Sequence, residues 1–85
     1  MNYRVIWSDD ALTELDAIWE ASPDQEGVEQ TATRVETELE FVPLEAGESR
    51  DENIRVLIKH PLVVWFRIVE RLREVQVLHV RSTKR

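Results

Sequence analysis

The side chains of this chain that could meet an anion are gathered in its last third, where Arg55, Lys59, Arg67, His79 and Arg81 are set among apolar residues. From Ile54 to Lys59 the apolar pattern has a period of two, with Ile54, Val56 and Ile58 on one side and Arg55, Leu57 and Lys59 on the other. Val75 to Arg81 alternates in the same way, so His79 and Arg81 share a face, and Arg67 lies between the two segments in LVVWFRIV. Side chains from adjacent strands can converge on one surface. All five are therefore expected on a common concave face able to hold an anion such as nucleic acid or an acidic partner. The alternative is a salt-bridged fold in which Arg55 and Arg67 meet carboxylates of the helices and His79 is a half-buried edge residue.

Other chemistries are excluded by residue type and spacing. His60 and His79 have no acidic or cysteine partner at ligand spacing, so no metal site is expected. Gly27 and Gly47 are the only glycines and neither joins a strand to a helix, so there is no phosphate-cradling loop. No acyl-transfer signature occurs, and no cofactor is expected. The chain has no cysteine, which points to a reducing cytoplasm. Pro61 to Phe66 is far shorter than the roughly 20 apolar residues of a membrane span, and the N-terminus lacks the apolar core of a secretion signal. The expected protein is cytoplasmic, with no membrane partner.

The 85 residues fit one domain, 1–85, and the 42% hydrophobic content is that of a folded globule. The net charge of −6 conceals a division along the chain. Residues 1–53 hold 15 of the 17 acidic groups against Arg4, Arg34 and Arg50, whereas residues 54–85 carry most of the basic ones against Glu70 and Glu74.

The elements that must position these charges follow from periodicity. Tyr3, Val5 and Trp7 alternate with Arg4 and Ile6 as a strand. Ser8 is a capping residue, Asp9 and Asp10 suit a first helical turn, and Leu12, Leu15, Ile18 and Trp19 form an apolar side that ends at Ser22-Pro23. Asp24 caps a second helix with a stripe of Val28, Ala32, Val35, Leu39 and Val42, closed by Pro43. Leu44 to Asn53 reads as a loop, Leu62 to Val69 as a central strand covered on both faces, and Glu70 to Glu74 as a turn. The last strand is expected to place Val75, Val77, His79 and Arg81 on one face and Gln76, Leu78 and Val80 on the other, before a fraying tail, Ser82 to Arg85. The predicted fold class is α+β: an N-terminal strand, an antiparallel helical hairpin packed on one face of the sheet, then a three-stranded antiparallel meander.

The opening YRVIWS, the acidic helix with LxxLxxIW, the segment GESRDENIRVLIKHPLVVWFRIVE and the ending VQVLHVRSTKR resemble the RelE/ParE superfamily of toxins from bacterial type II toxin-antitoxin pairs. The resemblance runs from Tyr3 to Arg81. It implies the same α+β fold, and a cognate antitoxin that lays a helix and an extended segment around the toxin. The groove for it would be built from Leu57, Trp65, Val77 and the arginines, although Trp65 is expected to be core. Members similar to RelE cut mRNA in the ribosomal A site by attack of a 2′-hydroxyl on its adjacent phosphate, which leaves a cyclic phosphate. By this resemblance Arg55 and Lys59 would face phosphate, Arg67 would stabilise the transition state, and His79 with Arg81 would form the C-terminal site. His79 alone has a reference pKa, about 6.5, suited to proton transfer near neutrality. The chain departs from the pattern in having Tyr3 as its only tyrosine and in its acidic balance. The contrasting expectation is a non-catalytic ParE-like inhibitor of DNA gyrase, or a degenerate homologue that only binds a protein partner.

Overall fold

The computed structural model describes residues 2–51 and 53–83. In chain order these form β1 (Arg4–Trp7), α1 (Asp9–Ala21), α2 (Gln25–Phe41), β2 (Glu48–Ser49), β3 (Arg55–Lys59), β4 (Leu62–Val69), a 3-10 turn (Glu70–Leu72) and β5 (Glu74–Ser82). The sheet order is β1-β5-β4-β3-β2. β3, β4 and β5 make the expected antiparallel meander, and β1 adds to β5 in parallel.

The helices begin where their caps dictate. The Ser8 hydroxyl accepts from the Ala11 N–H at 3.0 Å, and an Asp24 carboxylate oxygen accepts from the Gly27 N–H at 3.0 Å. α2 buries Val28, Thr31, Val35 and Leu39, whereas Val42 lies beyond its end and is exposed. In α1 the fully buried residue is Ala11, and Leu12 is turned to solvent. The core lies between this hairpin and one sheet face, where Leu62, Val64, Phe66, Val75, Val77 and Val80 meet Ala11, Val35 and Leu39. Burial of this apolar surface is the main stabilising term.

Three expectations are corrected. Residues 44–53 are not wholly loop, because Glu48–Ser49 pairs antiparallel with Arg55–Val56 as an edge strand. β4 is covered on one face only: Leu62, Val64 and Phe66 are buried, while Val63 and Trp65 are half-buried and Arg67 is exposed. Ser82 is still in β5 and Thr83 donates its N–H to the Pro61 carbonyl at 2.9 Å, while Lys84 and Arg85 lie outside the described residues.

The parity of β5 differs from simple alternation for a specific reason. Trp65 pairs with His79 but the next residue, Phe66, pairs with Val77, so Leu78 is an extra residue in the ladder. Such a β-bulge resets which face each later side chain takes. Val75, Val77 and Val80 consequently all face the helices, and Gln76, His79 and Arg81 face the opposite side.

Candidate functional site

The helix-free face of the sheet is where the bulge gathers cations. Arg67 on β4 stands opposite Gln76 on β5, His79 stands opposite Trp65, and Arg81 stands opposite Val63. Trp65, His79 and Arg81 line a shallow depression of about 160 Å³. Arg67, His79 and Arg81, three of the five residues expected from the sequence, are thus together on one open surface.

The other two are not there. Arg55 pairs with Phe66 and Lys59 with Leu62, both core residues, so the period of two places these cations on the helix side of the sheet. The Arg55 guanidinium donates to the carbonyls of Ala46 (3.1 Å), Leu44 (3.3 Å) and Gly47 (3.3 Å), bracing the loop after α2. Lys59 forms an ion pair with Glu38 of α2 at 3.1 Å. The expectation of one surface shared by all five is corrected on these grounds. The apolar groove expected from Leu57, Trp65 and Val77 is corrected too. Leu57 and Val77 are buried under the helices, while Trp65 is on the open face rather than in the core.

Each cation on the open face has a defined neighbour. Arg67 Nε donates to Gln76 Oε1 at 2.7 Å, Gln76 Nε2 donates to Glu74 Oε1 at 2.9 Å, and Arg4 Nη2 meets Glu74 Oε2 at 3.1 Å. Glu74 is buried, and its carboxyl is held below the usual range chiefly by the Gln76 hydrogen bond, with Arg4 adding to it and burial opposing. Among the described residues Arg67 makes no ion pair, so its charge faces solvent.

His79 and Arg81 share a carboxylate that the sequence did not reveal. β1 covers β5 only as far as Val77, and α1 runs beside the edge that remains. There Ser8 Oγ donates to the Leu78 carbonyl at 3.1 Å, and Glu14 Oε1 accepts from the Val80 N–H at 2.9 Å. Glu14 Oε2 lies 3.4 Å from His79 Nδ1 and also takes a hydrogen bond from Arg81 Nη1. Burial would push the Glu14 carboxyl up. The Arg81, Val80 and His79 contacts outweigh it, leaving the group below the ordinary glutamate value. No local signal marks Glu14, since its partners are far away in sequence.

An anion on this face would find two guanidinium groups, an imidazole and an aromatic surface within a few residues of one another. Indole rings support base stacking and cations neutralise phosphate. A concavity of about 440 Å³ elsewhere is of the opposite character: it runs between α1 and α2 over Leu15, Trp19, Val28 and Ala32, beside Asp16 and Glu29. A polyanion would be repelled there. His60 does not line that depression; it sits at the β3–β4 turn, its Nδ1 lying 2.7 Å from the Thr83 hydroxyl. No group of side chains suited to a metal ion occurs among the described residues, and no helix among them is long and apolar enough to cross a membrane.

No protein-family model matches the chain, and no curated protein matches its sequence. Solved structures do match. The toxin-antitoxin complex RelBE2 from Mycobacterium tuberculosis is similar with a TM-score of 0.78 and 19% identity, over 96% of this chain and 92% of that one. The chromosomal ParDE system from P. aeruginosa gives 0.73 and 23%, over 94% and 95%. A mutant of the E. coli toxin RelE in the free state gives 0.72 and 17%, over 99% and 86%. At these identities the likeness is one of architecture. The chain has the RelE/ParE toxin fold, with two helices packed on a five-stranded sheet.

Proposed function

We propose that this chain is the toxin-type member of a toxin-antitoxin pair, held inactive by a cognate antitoxin, and that its open sheet face cleaves mRNA on the ribosome. The observation that supports this reading is the cluster of Arg67, His79 and Arg81 around Trp65, on the face the helices leave uncovered. Trp65 offers a stacking surface for a base. The 2′-oxygen of the nucleotide bonds to its adjacent phosphorus as the bond to the 5′-oxygen breaks. The hydroxyl proton passes to His79, and the departing oxygen takes a proton from solvent. Arg67 and Arg81 offset the charge that builds on the phosphorane oxygens. Arg55 and Lys59 have no part in this step, since one braces a loop and the other pairs with Glu38.

A cell-free translation reaction read by primer extension tests it. Wild-type protein is expected to produce cuts at defined codon positions, and Arg67→Ala and His79→Ala to abolish them. The solved relatives include toxin-antitoxin complexes, so co-expression with the product of a short neighbouring reading frame is expected to remove the cuts.

A second reading has its own observation. Glu14 already occupies His79 and Arg81, which leaves Arg67 as the one member of that trio without an acidic neighbour among the described residues. A ParE-like protein that inhibits DNA gyrase by contact, or one that binds only an antitoxin, would need no free cation cluster. Intact mRNA together with blocked gyrase supercoiling would decide for the gyrase reading, and inactivity in both assays for partner binding alone.

A further inference from the structure

Glu14 of α1 reaches the open face of the sheet and meets both His79 and Arg81 there. A carboxylate accepts and cannot donate, so a hydrogen bond across the 3.4 Å between Glu14 Oε2 and Nδ1 is made only with the imidazole proton on that nitrogen. The other ring nitrogen, Nε2, has no hydrogen-bond partner among the described residues, and the ring lines the depression beside Trp65. The carboxylate is itself fixed, because one oxygen is committed to the Val80 N–H at 2.9 Å. Its lowered pKa keeps it ionised, as an acceptor must be.

From this geometry we infer that Glu14 is a positioning residue. It holds the His79 ring with the proton on Nδ1, so that Nε2 presents a bare lone pair to the Trp65 depression, and it orients the Arg81 guanidinium beside it. When Nε2 takes up a proton the ring becomes an imidazolium, and the same carboxylate then stabilises that charge. Glu14 touches no substrate and acts through the two side chains it holds. The inference deepens the cleavage reading and rests on it for its catalytic consequence, but the ring state it asserts is independent of any activity.

The test is a long-range nitrogen-proton correlation spectrum of histidine-labelled wild-type protein, at a pH where the rings are neutral. His79 is expected as the Nδ1–H tautomer, with Nε2 carrying no proton. In Glu14→Ala the population is expected to move toward Nε2–H, the form imidazole favours in water, while His60 is unchanged. A wild-type His79 with its proton on Nε2 overturns the inference, whether or not the variant folds. Under single-turnover conditions on mRNA-programmed ribosomes Glu14→Ala is expected to lower the rate of mRNA cleavage with affinity for the programmed ribosome retained. The loss should lie within the roughly 10²–10⁴-fold that a positioned general base contributes. A variant that binds the programmed ribosome more weakly but cuts at the wild-type rate overturns it as well. If the wild type has the expected tautomer but cuts no RNA, the positioning stands and the cleavage reading falls.

Discussion

Glu14 links the His79 and Arg81 side chains of β5 to a helix and caps a strand edge, so its ionisation is coupled to folding. Its carboxyl is depressed in the folded protein, so the stability it contributes is present above the ordinary glutamate pKa and is lost as pH falls through the folded value. Urea denaturation at a series of pH values is therefore expected to show Glu14→Gln less stable than wild type near neutrality, with the two curves converging in acid. Curves that stay parallel would show that the carboxylate is not the source. Arg55 and Arg67 separate in the opposite sense. Arg55 serves three backbone carbonyls, and Arg55→Ala should cost about 1.5–3 kcal/mol of stability, the range for hydrogen bonds to a charged group, with no loss of RNA affinity. Arg67→Ala should do the reverse, since its side chain is exposed and among the described residues its one hydrogen bond is to Gln76. The basic character of both was legible in the sequence, but their different duties were not, because the carbonyls that Arg55 meets belong to a loop fixed only by the tertiary fold.

Element boundaries were readable because caps and periodicity are local: Ser8 and Asp24 cap the helices, and the change from helical to alternating spacing marks the sheet. Face assignment on β5 was not readable, because the bulge at Leu78 depends on how β4 and β5 register against each other. Short pairing also hid β2, whose two residues carry no periodicity. The bend before β2 does have a sequence mark. Gly47 has φ +64°, and a Cβ there would lie 2.2 Å from the Val56 carbonyl oxygen. Gly47→Ala is expected to destabilise the protein by at least about 1 kcal/mol, measured by thermal or urea unfolding, since both the left-handed backbone and the close approach oppose a side chain. Phe66 closes the sheet side of the core with no exposure, and Phe66→Ala should cost about 3–5 kcal/mol in the same measurement. A much smaller loss would mean that the core does not lie where the register puts it.

Across the whole molecule the division of charge seen along the chain becomes a division between surfaces. The outer side of α2 carries Glu26, Glu29, Glu36 and Glu40, while the open sheet face carries Arg4, Arg67, His79 and Arg81. The acidic layer would repel a polyanion over a distance set by ionic strength, and the opposite face would receive it. With Arg67 and Arg81 as the phosphate contacts, affinity for single-stranded RNA should fall with salt at a log-log slope of about −1.4, far shallower than for a broadly basic binder. The order of elements and the partition of charge were visible in the sequence. The side of the sheet on which each cation emerges was not, and that determines the candidate site. The most direct test is an NMR titration of the wild-type protein with a 2′-O-methyl RNA oligonucleotide, which binds but cannot be cut. The account predicts that the largest shifts fall on the Trp65 indole, the Arg67 and Arg81 side chains and the His79 ring. Shifts centred on the groove between α1 and α2, or on Arg55 and Lys59, or no shifts at all, would contradict it.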